Sequence, residues 1–316
     1  MLKWVIRQSV SLTWTNSGKI DGSRFVIPEP ALPRGEDPWQ TVLSYLNPVR
    51  SFVMLSADAL ILRTVDFSET SRIVTLYTRQ FGKIEALAKG GRRLKGPFES
   101  SLDLLARNAV TFISKRGDAL NLLTESKLIR RFRVHSSNMS GTLGGYYVAE
   151  LIHSLTADED PMPTLYDMAV KVLNQLEEGM FVMRTLLRFE GRFLQLLGHS
   201  PELRNCVDCG TPISRDLLGT QGDAVPIFFG LDGGVLCCDC SPKHRQAMRV
   251  TAETLNTWEA LMNPRDRSEQ WKHLPISRQT LGENRHLANR YICALLGAKP
   301  RLHDWWNVIA KNDREE

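Results

Sequence analysis

Two Cys-x-x-Cys pairs, Cys206-Val207-Asp208-Cys209 and Cys237-Cys238-Asp239-Cys240, constrain this chain more than any other feature. A CxxC turn lets two thiolates converge on one ion. A second pair completes the closed tetrahedral set that zinc prefers. Gly210 follows the first pair, where a knuckle turn needs a residue tolerant of positive φ. The 27 residues between the pairs exceed the common ribbon spacing of about 15–20. Six cysteines in 316 residues are too few for a disulfide scaffold and read as a metal site in a reducing compartment. Cys237 and Cys240 keep the spacing, so the expected ligands are Cys206, Cys209, Cys237 and Cys240. Cys238 is then a spare thiol, and Cys293, on a helical apolar stripe, is a core residue. Four cysteine ligands leave no open coordination position, so the metal is expected to be structural. A zinc deaminase would need His-x-Glu and Pro-Cys-x-x-Cys. No histidine here is followed by Glu two residues later, and Leu236 precedes Cys237.

Charge is distributed unevenly. Residues 54–135 hold 15 basic and 8 acidic side chains, net +7, against +5 for the whole chain. Residues 136–316 are net −4 and residues 1–53 net +2. A basic block of this size points to a polyanion, most simply nucleic acid. Hydrophobic residues at 42% and charged residues at 24% exclude a mainly disordered or collagen-like chain. No run approaches the roughly 18 apolar residues of a membrane span.

The hydrophobic period divides the chain. Residues 1–53 carry Pro28, Pro30, Pro33, Pro38 and Pro48 and keep no apolar period. They are expected to be a disordered extension or an upstream translation, with Met54 as the working start. From Met54 the pattern is β-like: Asp58–Thr64, Arg72–Thr78, Ile84–Lys89, Ala109–Lys115 and Leu120–Glu125, the last two joined by an Arg116-Gly117-Asp118 hairpin loop. Five strands in about 70 residues fit a small barrel, of OB type or SH3-like on pattern alone. After Ser140 the period is helical. Helices are expected after the Gly144–Gly145 pair, over Leu165–Leu176, over Met183–Leu197 with Gly198 as C-cap, and over Ala252–Met262 and Leu281–Leu296. Residues 201–245 interrupt with cysteines and glycines.

Three basic segments lie in the barrel region. Lys89-Gly90-Gly91-Arg92-Arg93-Leu94-Lys95-Gly96 joins four cations to glycines that let the backbone approach a phosphate. Its order is not that of a P-loop. Lys115 and Arg116 sit on the hairpin, and Lys127, Arg130, Arg131 and Arg133 follow the last expected strand. Together they make a nucleic-acid footprint. Phe98 and Phe132 lie beside these charges, as stacking residues or as core. A general nucleic-acid-binding zinc protein acting on RNA or in transcription fits these features. An enzyme does not, since no nuclease-like carboxylate cluster or nucleotide loop is evident.

The order of parts is similar to the RecO family of bacterial DNA repair proteins. The resemblance rests on Ala59-Leu60-Ile61-Leu62, Ser71-Arg72-Ile73-Val74-Thr75-Leu76-Tyr77-Thr78, Phe81-Gly82-Lys83, Ala88-Lys89-Gly90-Gly91-Arg92-Arg93 and the CxxC…GGxLCxxC element. It covers Met54 to the last helix, about 240 residues. It implies an α+β chain, with an N-terminal OB-fold barrel over 54–135 and a helical domain over 136–316 carrying a zinc knuckle at about 201–245. It also implies a non-enzymatic recombination mediator that binds single- and double-stranded DNA and anneals complementary strands. RecR, the C-terminal tail of the single-stranded DNA-binding protein and, indirectly, RecA are the implied partners. The implied setting is the cytoplasm, at the nucleoid. The doubled Cys237-Cys238 departs from a simple CxxC and leaves the ligand set slightly open.

Overall fold

The computed structural model describes residues 53–93, 96–98, 101–114, 119–215, 226–263 and 269–305. The expectations for residues 1–52, for Lys95, and for the hairpin loop with Lys115 and Arg116 lie outside the described residues.

Strand β1 (Val53–Asp66) is apolar on both faces, and each face meets a different core. Ala57, Ala59 and Ile61 point into the barrel with Val74, Leu76, Ile84, Val110 and Phe112. Leu60 and Leu62 point outward and join the core of the helical domain. A period of two decides this, because alternate side chains leave opposite faces of a strand. The remaining strands are β2 (Arg72–Thr78), β3 (Gly82–Ala88), β4 (Arg107–Ser114) and β5 (Asn121–Arg130). They form a closed barrel in the order β1-β2-β3-β5-β4, with β4 back against β1. The β3–β5 pair is parallel and the others antiparallel, which is OB-type rather than SH3-like closure.

The strand limits differ most from the sequence expectation at the start of β1 and the end of β5. β1 starts at Val53, because it pairs with β4 along its first half and β2 along its second. β5 runs to Arg130, because its pairing with β4 continues to Arg107. Lys127 and Arg130 therefore lie within the strand, not beyond it.

The helices are α1 (Met139–Leu155), α2 (Pro163–Glu178), α3 (Val182–Leu196), α4 (Ala252–Met262) and α5 (Arg278–Leu296). Asn138 caps α1 by accepting from the Gly141 N–H at 2.8 Å. The Gly144–Gly145 pair lies inside α1, not before it. A Cβ on Gly145 would come within 2.6 Å of Phe132 and 2.9 Å of Leu105. Gly145 admits the barrel's edge and Gly144 the side chains of Leu176 and Leu186, and neither starts a helix. Gly198 closes α3 as expected: its N–H reaches Gln195 O, and the His199 N–H reaches Leu194 O.

Helix α3 is buried along nearly its whole length, including its charges. Glu190 is fully buried and accepts from Tyr147 Oη of α1 at 2.5 Å and from Arg285 Nη1 of α5. Burial, then the Glu190 charge, pushes the Tyr147 hydroxyl well above its ordinary range, so it remains a donor. Arg188 donates to Leu261 O and Arg184 to Leu274 O, closing the ends of neighbouring segments.

The barrel docks on the helices through Phe81-Gly82-Lys83. Gly82 has φ +70°, and a Cβ there would lie 2.2 Å from Asp160 O. Lys83 Nζ donates to His153 O at 2.8 Å and Thr156 O at 2.7 Å, capping the C-terminal end of α1. Arg79 adds a bidentate pair with Asp167 of α2. Burial, then Lys83, lowers the neighbouring His153 imidazole below its ordinary range. Acidification from the ordinary imidazole range downward should therefore weaken this junction, because the unfolded chain takes up the proton that the folded imidazole resists. Lys83→Met should leave the His153 and Thr156 carbonyls without their charged donor and cost about 2 kcal/mol. Thermal unfolding checks this. An unchanged melting temperature would remove Lys83 from the junction.

Candidate metal centre and nucleic-acid interface

The four cysteines of the two CxxC pairs converge. Cys206, Cys209, Cys237 and Cys240 place their Sγ atoms within 4.8 Å of one another. Cys209 Sγ and Cys237 Sγ are 3.8 Å apart. A tetrahedral ion with bonds of about 2.3 Å sets its ligand sulfurs about 3.8 Å apart, so this set can hold one metal ion. Cys238 turns away, with its Sγ 3.6 Å from Asp239 Oδ1. Cys293 is half-buried on α5, outside the cluster.

Local backbone builds the site. The Gly210 N–H donates to Cys206 O and the Ser241 N–H to Cys237 O, making two like turns. Strands β6 (Ile227–Gly230), β7 (Gly234–Leu236) and β8 (Met248–Val250) form a small sheet beneath them, in the order β7-β6-β8. Gly234 has φ +154°, and a Cβ there would sit 2.1 Å from Glu202 O. The glycine lets the Glu202–Val207 segment lie on β7, where Val235 N donates to Glu202 O and Val207 N to Val235 O. That contact brings the first pair to the second.

Burial acts to raise the Cys206 thiol, but the N–H groups of Cys209, Cys237 and Asp208 outweigh it and bring the pKa to about 6. The bond with Cys237, then burial, pushes Cys240 up to about 12. Four thiols this close share their protons, and a bound cation would favour four thiolates.

The expected cationic residues fall in two places. Lys89, Arg92 and Arg93 are exposed in the loop after β3. That loop is stitched to the β1–β2 loop, with the Arg92 N–H on Thr70 O at 3.1 Å and Arg92 Nη1 on Ser68 O at 2.9 Å. Lys127, Arg130, Arg131 and Arg133 lie along β5 and just after it, about 10–20 Å further along the strand at ~3.3 Å per residue. Arg130 is paired with Glu177 and Arg131 with Asp103 Oδ2 at 3.1 Å. Lys127 and Arg133 are exposed. Phe98 is buried in the barrel core, and Phe132 packs against the helical core.

Two further side chains, neither part of a motif, stand out in these regions. His244 bridges the knuckle, with Nε2 3.0 Å from Asp208 Oδ2 and Nδ1 3.1 Å from Asp232 Oδ2. The Asp208 bond, then the Asp232 bond, raises its imidazole above the ordinary range. Phe67, in the β1–β2 loop, is 61% exposed. A lone phenylalanine after an apolar strand reads as core, so the sequence carried no signal for it.

An OB-type sheet domain followed by a helical domain with a four-cysteine insert defines a class of two-part OB proteins. A family model described as Recombination protein O N terminal matches residues 53–132, and one described as Recombination protein O C terminal matches residues 137–303. The DNA repair protein RecO of Rhodopirellula baltica is 45% identical over 203 residues, 64% of this chain and 73% of that protein. The DNA repair protein RecO of Myxococcus xanthus is 29% identical over 248 residues, 78% of this chain and 95% of its own length. The chain belongs to the RecO family. Among the described residues, no helix is long and apolar enough to cross a membrane.

Proposed function

We propose that this chain is a non-catalytic mediator of recombination in DNA repair. It binds single- and double-stranded DNA, anneals complementary strands and helps load RecA onto gaps coated with single-stranded DNA-binding protein. RecR and the tail of that coating protein are its partners, in the cytoplasm at the nucleoid. Residues 54–135 serve as the DNA-binding domain and residues 136–316 as the helical domain. Zinc on Cys206, Cys209, Cys237 and Cys240 is a structural ion that holds two loops together. The family supports the biological role. The observation that carries DNA binding is the exposed Lys89–Arg93 loop bonded to the β1–β2 loop of an OB-type barrel. Lys95 adds charge next to that loop in sequence, Lys115 and Arg116 add charge between β4 and β5, and Lys127 and Arg133 make a second contact. Arg130 and Arg131 contribute less, since each already has a carboxylate partner.

Suppose these cations neutralise about 4–6 phosphates. Counterion release at ~0.7 per phosphate then gives a log–log salt slope of about −3 to −4 on single strands. Lys89→Ala with Arg93→Ala should flatten that slope by about one to one and a half units, equally on unrelated sequences. Both residues are exposed, so the melting temperature should hold. Arg92 is left in place because it also fastens the loop. Binding titrations at several salt concentrations check the interface. Strand annealing, with and without the single-stranded DNA-binding protein, tests the mediator role. Wild-type affinity and slope in the double variant would sink this assignment of the binding surface.

A further inference from the structure

The ladder register carries an apolar row across the outside of the barrel. Val65 pairs with Ile73, Ile73 with Leu87, and Leu87 with Leu122. Directly paired residues share a face, and the strand neighbours of this row, Val74, Ala86, Ala88 and Leu123, are buried inside the barrel. The outer row belongs to neither the barrel core nor the helical core. Val65 is 40% exposed, and Ile73, Leu87 and Leu122 are half-buried.

Phe67 stands two residues beyond Val65, and Lys89 two beyond Leu87, at the open end of this face. The Phe67 N–H donates to Ser71 O at 3.0 Å, and Ser71 N donates to Ser68 Oγ at 3.2 Å. The turn is thus fixed while its aromatic ring stands in water. Phe67 and Lys89 are separated by two strand spacings, about 10 Å. Asp66 is engaged by Arg72 and Arg92, and Glu69 is the loop's other acid.

We propose that Phe67, backed by Val65, Ile73 and Leu87, is a stacking platform for unpaired nucleobases of single-stranded DNA, with Lys89 and Arg93 taking the flanking phosphates. This rests on the DNA-binding reading above and adds its preference for single strands. An exposed aromatic ring on a partly exposed apolar row, rimmed by cations, matches the two surfaces of a single strand, its base faces and its phosphates. A duplex hides the base faces inside its own stack, so it can use the cations but not the platform.

The test compares Phe67→Ala, Phe67→Trp and the Lys89→Ala/Arg93→Ala pair on oligo-dT, on an abasic oligomer of equal length and on duplex DNA. Phe67→Ala should weaken oligo-dT binding about tenfold, in line with the loss of one or two stacked bases. Its salt slope, melting temperature, abasic affinity and duplex affinity should stay at wild-type values. Phe67→Trp should bind oligo-dT within about twofold of wild type, since a larger ring still stacks. The charge pair should lose affinity on all three probes. Equal losses for Phe67→Ala on all three probes would make Phe67 a loop-shaping residue and overturn the platform. So would undiminished oligo-dT binding while the charge pair is impaired, an outcome that leaves the cationic loop standing. No loss in either variant would overturn both readings together.

Discussion

With zinc held as proposed, Cys206→Ser should abolish metal binding and loosen the element from Pro201 to Val250, while Cys238→Ser should keep both metal and fold. Cys206 is buried with Leu236 and Cys240, and its sulfur is one of the four that converge. Isolated knuckles gain roughly 10–16 kcal/mol of apparent folding energy from zinc. The loss here should be smaller, because the small sheet is also held by packing. Phe229 of β6 stacks on Trp258 of α4 and meets Tyr291 of α5 edge-on. Ile227 and Val235 are buried in the same core. The metal-free chain should therefore keep its helices and lose the two knuckle turns. Elemental analysis of the purified protein and its melting curve read both parts. Metal retained in Cys237→Ser but lost in Cys238→Ser would reverse the ligand assignment.

The second large effect is expected at Glu190. Arg285→Met removes the cation from a carboxylate that is fully buried between α1, α3 and α5. Breaking one side of such a pair costs about 3–5 kcal/mol, because the remaining charge stays in a low-dielectric core. For a domain of this size that is a fall in melting temperature of about 10 °C. Replacing the group as a set, Arg285→Met with Glu190→Met and Tyr147→Phe, should recover most of the loss. No uncompensated charge or hydroxyl then remains in the core. DNA affinity should be nearly unchanged in both variants at temperatures where they stay folded, since the cationic loop lies on the barrel. A single variant as stable as wild type would mean that the pair is not a keystone of the helical core.

The sequence by itself determined the features set by local chemistry. The four converging cysteines follow from CxxC spacing, and Gly210 occupies the turn that spacing requires. The strand-to-helix change follows from periods of 2 and 3.6, and Pro163 and Gly179 bound α2 by their own backbone preferences. The positive block at 54–135 was likewise legible as charge. Tertiary structure decided whatever depends on a distant neighbour. Gly144 and Gly145 look like a helix boundary, yet they lie mid-helix because Phe132 and Leu105 press on Gly145 and Leu176 and Leu186 on Gly144. Phe98 looks available to a base, yet the barrel buries it, while the motif-free Phe67 is left in water by a turn. Arg130 and Arg131 count as free cations in a composition, but Glu177 and Asp103, from distant parts of the chain, already sit beside them. Lys83 reads as a solvated lysine until the end of α1 supplies carbonyls for it. The physical reason is common to all of these. A residue's backbone preference and formal charge are its own, but its burial and its partner are set by segments tens of residues away, which meet only when the barrel closes against the helices.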